Sequence, residues 1–537
     1  MKKRIIMIVC IIILSLVIVK LYQTFAISSI VSGTDNTYNI TLNDSDTVSV
    51  PAKSSKVIYY QISNTNKGKV KYGVGYTSNN IEVKTYWDTL DEDTGIIDYG
   101  ENKFVKLKLI NNSTSSDTVT LTTILGYEFG GDLIVPSGVT LVSKEVSEKN
   151  EIVSEGTVSS SSSTVLGTTV TRANVGTVTF EKDNIVPAGA ISPKDISSNG
   201  DGSVMMWYTE NSDGSYELHM GSENGKVSIT NGENLFAYMD KVESLDFSNV
   251  DLSGLTSMAY MFNGCTNLKE IKFGNNKLSN ITSLYHTFDG TEGLTTIDLS
   301  GFDTSNVTNM GSMFKNSSVE YLDLRGFNTS KVTYMKNMFE GCSNLKNVDL
   351  RNFDTSKVTT MEGMFRECSS LTSLDLSNFN TSKVTTFAGM FHQCINIKTL
   401  NLSGFNTSSL KSMANMFNNC SSLITLDLIG WNTSNVESME WMFYKCSSLS
   451  NLNLSTWNTN KVTNMSGMFS ACKQMETIYV SNLWNTSLVT NSTEMFKNCT
   501  SLKGGAGTKF SSSYIDKTYA RIDGGTSNPG YLTLKAI

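Results

Sequence analysis

The sequence is poor in histidine, proline and charge, and it has no basic block. Its 537 residues include three histidines and five prolines, 17% are charged, and the formal net charge is −7. The acidic balance and the missing basic block argue against nucleic-acid binding. His219, His286 and His392 occupy unrelated positions, and no C-x-x-C pair occurs. Zinc is therefore disfavoured, and we expect neither a metal nor a cofactor.

A catalytic constellation is also missing. The sequence offers no nucleophile with a base and an orienting group, and no phosphate-binding loop. Aspartate and serine are abundant, but each recurs at a fixed period, which indicates a structural role. We therefore expect no catalytic residues and no enzyme activity. An unrecognised site in the N-terminal β domain is the remaining enzymatic alternative.

Residues 1–29 predict export. A basic stretch at residues 2–4 precedes an apolar run over residues 5–19, and the small residue Ala26 follows, which is the pattern of a secretory signal. The run is short for a membrane-spanning helix, but counting on to Ala26 reaches about 20 residues. Cleavage after Ala26 and retention as a membrane anchor are both open. The C-terminus has no apolar tail or sorting motif, so we expect either a secreted protein or one held at the cell surface by its N-terminal segment.

The first half of the chain divides by composition. Residues 30–143 alternate apolar and polar in short runs separated by Asn, Gly, Ser and Asp, which predicts a small antiparallel β-sandwich-like domain; we interpret it as a spacer. Residues 144–190 contain five consecutive serines and no sustained period, which is typical of a linker. Residues 191–234 include a predicted hairpin with its turn at residues 211–214, and we expect this segment to cap the repeats that follow.

From residue 235 to 503 one sequence unit recurs about ten times. Each unit contains a phenylalanine, usually preceded by methionine, which we call the beat phenylalanine. It recurs at a nearly constant interval, at Phe262, Phe288, Phe314, Phe339, Phe365, Phe391, Phe417, Phe443, Phe469 and Phe496. A period of this size, about 26 residues, predicts a stack of identical rungs. Residues 504–537 are then expected to cap the far end of the stack.

One unit, residues 371–394, shows what each rung should contain. Leu371, Leu374 and Leu376 fit the L-x-x-L-x-L strand signature of leucine-rich repeats. Thr381 and its serine neighbour supply a hydroxyl N-cap, and the apolar stripe over residues 384–394 predicts a short helix. The predicted fold is an α/β leucine-rich-repeat solenoid of short parallel strands and short helices, preceded by the all-β sandwich-like domain. The recurring methionines are predicted to fill the core rather than to bind metal or haem.

Eight cysteines follow the beat phenylalanines by three residues, at Cys265, Cys342, Cys368, Cys394, Cys420, Cys446, Cys472 and Cys499. The second and third rungs carry Thr291 and Ser317 instead. Neighbours in such a ladder stand about 4.8 Å apart or more, whereas a disulfide requires Cβ atoms near about 3.8 Å. We therefore predict a column of buried thiols.

The residue between the two core positions of each strand points outward, and it is usually acidic. Like charges one strand apart repel, so something must compensate. Hydrogen bonds to neighbouring Ser, Thr and backbone groups, with Arg325, Arg351 and nearby lysines, are one explanation; a face that binds cations or basic groups of a partner is the other. The candidate partner-binding residues in this column are Asp298, Asp323, Asp349, Asp375, Asn401, Asp427 and Asn453.

The recurrent L-D-L-S-x-F-(D/N)-T-S-x-V-T-x-M-x-x-M-F-x-x-C pattern resembles the BspA-type leucine-rich repeat of bacterial surface proteins. The resemblance covers residues 235–503, about half of the chain, and the second and third rungs depart from it. It implies an exported protein that adheres to host matrix, host cells or other bacteria through a protein or glycan ligand. A membrane contact would come from an uncleaved N-terminal segment, and no nucleic acid is expected. A structural or self-associating coat or stalk is the alternative function.

Overall fold

The structure is a computed structural model that describes two parts of the chain. In the first part it describes the backbone of eight strands within residues 46–145; in the second it describes residues 150–536 except 199, 201, 223 and 224. The predicted signal or anchor at residues 1–29 lies outside the described residues. Within these two parts, no helix has the length and apolar character needed to cross a membrane.

The first part contains two four-stranded antiparallel sheets. Their strand orders are β1-β7-β3-β5 and β4-β6-β2-β8. The longest register pairs β2 with β6, from Ser54 opposite Asn111 to Ser63 opposite Asn102. The strands are β1 Asp46–Val50, β2 Ser54–Ser63, β3 Val70–Ser78, β4 Ile81–Trp87, β5 Gly95–Ile97, β6 Asn102–Asn111, β7 Asp117–Glu128 and β8 Val142–Glu145.

Five strands precede the main repeat region. They are β9 Val175–Glu181, β10 Ile191–Asp195, β11 Val204–Glu210, β12 Tyr216–Ser222 and β13 Val227–Ser228. Strand β10 pairs antiparallel with β11. The turn that the sequence predicts at residues 211–214 separates β11 from β12, and it is closed by a bond from the Asn211 amide to the Ser215 carbonyl (2.8 Å).

The repeat region is a stack of rungs whose short strands pair in parallel. Where two rung strands pair, each residue lies beside its equivalent in the next rung, as Leu245 lies beside Ile271 and Leu374 beside Leu400. A second column of parallel bridges joins the rungs at Ser257, Ser283, Asn309 and their equivalents. The strands of the repeats are β14 Ser244–Asp246, β15 Val250–Asp251, β16 Glu270–Lys272, β17 Tyr321–Leu322, β18 Asn347–Val348, β19 Ser373–Asp375, β20 Thr399–Asn401, β21 Asn451–Asn453 and β22 Thr477–Val480, and β23 Leu532–Leu534 follows in the tail.

The prediction of an α/β solenoid is wrong, because the rungs contain no α-helix. In the described part of the chain, the helical residues are confined to three 3₁₀ turns, at Arg172–Asn174, Lys517–Tyr519 and Gly525–Ser527. Residues 384–394, which the sequence predicts to be helical, are a succession of turns with one parallel bridge. The fold of the repeats is therefore all-β, built from short strands and turns.

The backbone hydrogen bonds explain why the helix does not form. The Phe387, Gly389 and Phe391 amides donate to carbonyls of the next rung, at 3.1, 2.8 and 2.9 Å, while the amide of Met390 between them closes a turn onto Phe387 (3.0 Å). An α-helix would need every one of these amides bonded four residues back. In addition, Gly389 and Gln393 both have φ of 62°, in the left-handed region that interrupts a right-handed helix.

The core of the stack is a column of phenylalanine rings. From Phe262 to Phe496 each beat ring lies nearly parallel to the next, with centroids 5.4 to 5.9 Å apart, and every ring is fully buried. The recurring methionines are also fully buried, which confirms that they fill the core. No single rung could bury these side chains alone, so stacking stabilises the fold.

Candidate binding surface

The cysteine column lies inside the stack. All eight cysteines at positions 265 to 499 are free and buried, which confirms the prediction of buried thiols. Each Sγ donates to the carbonyl of a phenylalanine one rung earlier, as Cys394 does to Phe365 (3.0 Å) and Cys420 to Phe391 (3.1 Å). Burial raises the pKa of the Cys394 thiol to about 12. These thiols are structural groups and are not available to a partner.

The recurring Asn-Thr-Ser sequence also serves the stack, although not as the predicted helix cap. The Thr381 hydroxyl is buried; it donates to the Asn406 carbonyl (2.9 Å) and accepts from the Asn406 amide (2.8 Å), one rung further on. The Asn380 side chain accepts from the Ser382 amide (3.1 Å) and closes a local turn. Equivalent rung-to-rung bonds are made by Thr304, Thr329, Thr355, Thr407, Thr433 and Thr459.

The outward strand column has one shared local role. In each of the seven predicted Asp and Asn members the side-chain Oδ1 accepts from the backbone amide two residues later, as in Asp375 with Ser377 (3.0 Å) and Asn401 with Ser403 (3.3 Å). This geometry is the Asx turn, for which Asp and Asn are interchangeable. The predicted residues that make this bond are Asp298, Asp323, Asp349, Asp375, Asn401, Asp427 and Asn453. Their role in partner binding stays a prediction.

Two arginines neutralise the aspartates at the centre of this column. Arg325 donates through Nε and Nη2 to the two oxygens of Asp323 (2.9 and 2.7 Å), and Arg351 does the same to Asp349. The arginine side-chain bonds, with the backbone bond of the turn, lower the pKa of both carboxyl groups to about 2. The Arg325 side chain is 72% exposed. The compensation is therefore local, and it leaves an exposed strip of alternating charge.

The three histidines make separate contacts. His286 Nδ1 lies 2.6 Å from an Asp289 oxygen and its ring stacks on Tyr260, whereas His219 stacks on Trp207 and lies 2.8 Å from Glu181. His392 is half-buried, and burial lowers its pKa. Across the part of the chain that the structure describes, no group of three His, Cys, Asp or Glu side chains could hold a metal ion.

Sequence reasoning missed a cleft between the second and third rungs. Its volume is about 1010 Å³, and residues 269–277 and 296–303 supply most of its walls. Asp298, a predicted column residue, lines this cleft. A signal for it exists in the sequence: the buried Phe273 and the next buried apolar residue, Leu278, are five positions apart, whereas Leu299 and Phe302 are three apart.

A sequence model of a protein family described as "Mycoplasma protein of unknown function, DUF285" matches the chain over residues 230–347, 316–428 and 422–524. Together these matches span residues 230–524, which is more than half of the chain. No curated protein matches the chain.

Proposed function

The chain belongs to the DUF285 family, and we propose that it is an exported bacterial repeat protein that binds a protein or glycan partner at the cell surface. Export is supported by the basic and apolar pattern of residues 2–26. Adhesion is supported by the resemblance of the repeats to BspA-type surface repeats. The partner would be carried by host matrix, by a host cell or by a neighbouring bacterium.

One observation supports binding most strongly: the inward side chains pack or bond between the rungs, whereas the side chains of the outward strand column are exposed. Phenylalanine, methionine and cysteine are buried, and the recurring threonines bond from rung to rung. Asp323 and Asp375, by contrast, present their side chains to solvent after closing their turns. A partner that docks along the stack would meet this column first.

The proposed role is non-enzymatic. The aspartates, asparagines and threonines of the repeats make the same structural bond in successive rungs, so none of them stands out as a reactive group. Catalysis depends on a few groups brought together in one site, and a periodic surface instead offers an extended area for binding.

The first experiment tests whether the purified full chain binds immobilised extracellular-matrix proteins, glycan arrays and whole bacterial cells, and whether protease added to intact cells removes it. We expect saturable binding to at least one class and loss of the protein on surface proteolysis. A protein that resists protease on intact cells and binds none of these materials contradicts the proposal. Self-association without any other binding, seen by size-exclusion chromatography, would instead support the coat or stalk alternative.

The second experiment removes charge from the strand column without disturbing the turns. The triple variant Asp323→Asn, Asp349→Asn, Asp375→Asn keeps each Oδ1 acceptor, as Asn401 and Asn453 already do. We expect it to fold with a change in stability within about 0.5 kcal/mol, as is usual for surface substitutions, and to bind the partner at least tenfold more weakly.

The matched control removes three charges from turns outside that column. Asp251, Asp354 and Asp516 also accept from the amide two residues later (2.9 Å each), so their replacement by Asn changes net charge equally. Binding that falls equally in both triple variants would show a general charge effect and would remove the strand column from the proposal.

A further inference from the structure

The cleft between the second and third rungs lies where the strand positions of neighbouring rungs do not pair. At about 1010 Å³, it lies at the upper end of the range of protein ligand pockets, about 300–1,000 Å³. Three lysines, Lys269, Lys272 and Lys277, and three acids line it, together with Ile271 and Ile297. It therefore combines an apolar floor with charges of both signs.

The cleft accompanies a shift of register between the second and third rungs. The bridge from Leu278 to Phe302 joins residues 24 positions apart, whereas the next bridge, from Ser283 to Asn309, joins residues 26 positions apart. The strand positions of the two rungs, Ile271 and Ile297, are also 26 apart. The second rung is in addition tied to the first, because the Asn276 side chain donates to the Phe247 carbonyl (3.1 Å).

One wall of the cleft is an open strand edge. On one side, strand β16 is hydrogen-bonded to β14 and the residues flanking it. The Glu270 amide donates to the Glu243 carbonyl (3.3 Å), and the Phe247 amide donates to the Lys272 carbonyl (2.7 Å). In a parallel pair, alternate residues direct their backbone groups to opposite edges, so the Ile271 amide and carbonyl face the cleft. Among the described residues, no strand pairs with β16 on that side.

The opposite wall is a rung segment without a strand. Residues 296–298 have no strand assignment, although they occupy the strand position of their rung. Ile297 is half-buried there, while its equivalents Ile271 and Leu322 in the adjacent rungs are 7% and 6% exposed. An apolar side chain and an open backbone edge thus face the same space.

The other end of the stack shows what such an edge can accept. Strand β22 is paired in parallel on both edges, by β21 and by β23, which comes from the non-repeat tail. Leu532 of that tail lies opposite Ile478 and is fully buried. A rung strand of this protein therefore takes an extended segment as a further parallel strand, with an apolar side chain directed into the core.

We propose that the cleft binds an extended polypeptide segment of a partner protein by strand addition to β16. The open backbone groups of Ile271 provide the main-chain bonds, an apolar residue of the segment covers Ile297, and flanking charged residues meet Lys272 and Asp298. Recognition by strand addition depends on main-chain hydrogen bonds for affinity and on alternate side chains for specificity. This inference rests on the binding role proposed above and names its partner as polypeptide rather than glycan.

The test uses the purified full chain and a phage library of random dodecapeptides as the probe. We expect enriched peptides whose binding is weakened at least tenfold by Thr296→Trp, because Thr296 is exposed and lines the cleft. Thr399→Trp is the matched control: it places the same side chain at the equivalent exposed position of β20, which lies outside the cleft. Bound peptide should also slow hydrogen exchange of the Ile271 amide.

Failure to enrich any peptide would overturn the inference, and so would equal weakening by the two tryptophan variants or exchange protection confined to other rungs. Binding to cells or matrix that survives Thr296→Trp would leave the proposed function standing without the cleft. Peptide binding in a protein that binds no cell, matrix or glycan would retain the cleft and remove the adhesive role.

Discussion

At the scale of the residue, most polar side chains of the repeats are used within the chain. Asp375 and Asn401 close the same turn in successive rungs, and this explains why the two residue types alternate along the column. Arg325 and Arg351 offset the charge of the aspartates beside them. A partner can therefore contact only the exposed side of polar side chains that already make a hydrogen bond within the chain.

The thiols give a prediction at this scale. Burial raises the pKa of Cys342, Cys394 and Cys446 to about 12, above the ordinary value of about 8.5. A raised pKa in the folded state stabilises the fold fully below the ordinary value, and this stabilisation is lost as the pH rises towards about 12. We expect the free energy of unfolding in urea to fall above pH about 9, with no alkylation of the folded column at pH about 8.5.

Intact-mass measurement after iodoacetamide treatment checks the alkylation, with the guanidinium-unfolded protein as control. The eight repeat cysteines should be labelled only after unfolding, because a buried, protonated thiol is a poor nucleophile. Rapid labelling of the folded protein would contradict the buried column.

At the scale of the element, the rung is defined by two left-handed positions that bracket the Met-Phe pair. They are occupied by Gly389 and Gln393 in one rung and by Asn415 and Asn419 in the next. Glycine and asparagine tolerate this conformation better than other residues. Their recurrence before the Met-Phe pair and before the cysteine is a sequence signal for turns, which the helical spacing of the apolar residues obscures.

Replacing residues at these positions should change stability in opposite directions. In Gly389→Ala the new Cβ would meet nothing nearer than 3.8 Å, so the cost is backbone strain alone, about 1–2 kcal/mol. Ala471 also has a φ of 62°, and Ala471→Gly should relieve strain and stabilise by about 1 kcal/mol or less. Urea unfolding of both variants checks this; destabilisation by both would contradict the left-handed assignment.

At the scale of the whole molecule, the repeat region is coupled through neighbouring rungs. The Phe391 ring stacks on the rings of Phe365 and Phe417, with centroids 5.8 and 5.7 Å apart. The amides of Phe365 and Phe391 each donate to a carbonyl of the next rung. Stability in such a stack is the sum of rung terms and nearest-neighbour terms. A substitution that destabilises one rung in the middle of the stack should therefore destabilise the adjacent rungs most.

Phe391→Ala tests this coupling. Removing a fully buried ring costs about 3–5 kcal/mol, and we expect faster hydrogen exchange in the rungs that contain Phe365 and Phe417, with little change near Phe262. Thr385→Ala, at an exposed position of the same rung, is the control and should leave exchange unchanged. Uniform acceleration along the whole stack would show a single cooperative unit instead.

The sequence by itself determined the period, the rung boundaries and the inward columns. A repeated phenylalanine, methionine and cysteine can be buried together only if the rungs stack, so their regular spacing was sufficient to place them. It also placed Asp323, Asp349 and their equivalents on one outward column, because side chains alternate along a strand.

Only the tertiary structure decided between helix and turns. The apolar spacing over residues 384–394 suits both, and the choice depends on whether the amides of Phe387 and Phe391 find their acceptors in their own rung or in the next one. The cleft was decided in the same way. The position of Leu278, five residues after Phe273, and that of Phe302, three residues after Leu299, are visible in the sequence. Only the stacking of the rungs places Leu278 beside Phe302 and leaves β16 with an open edge.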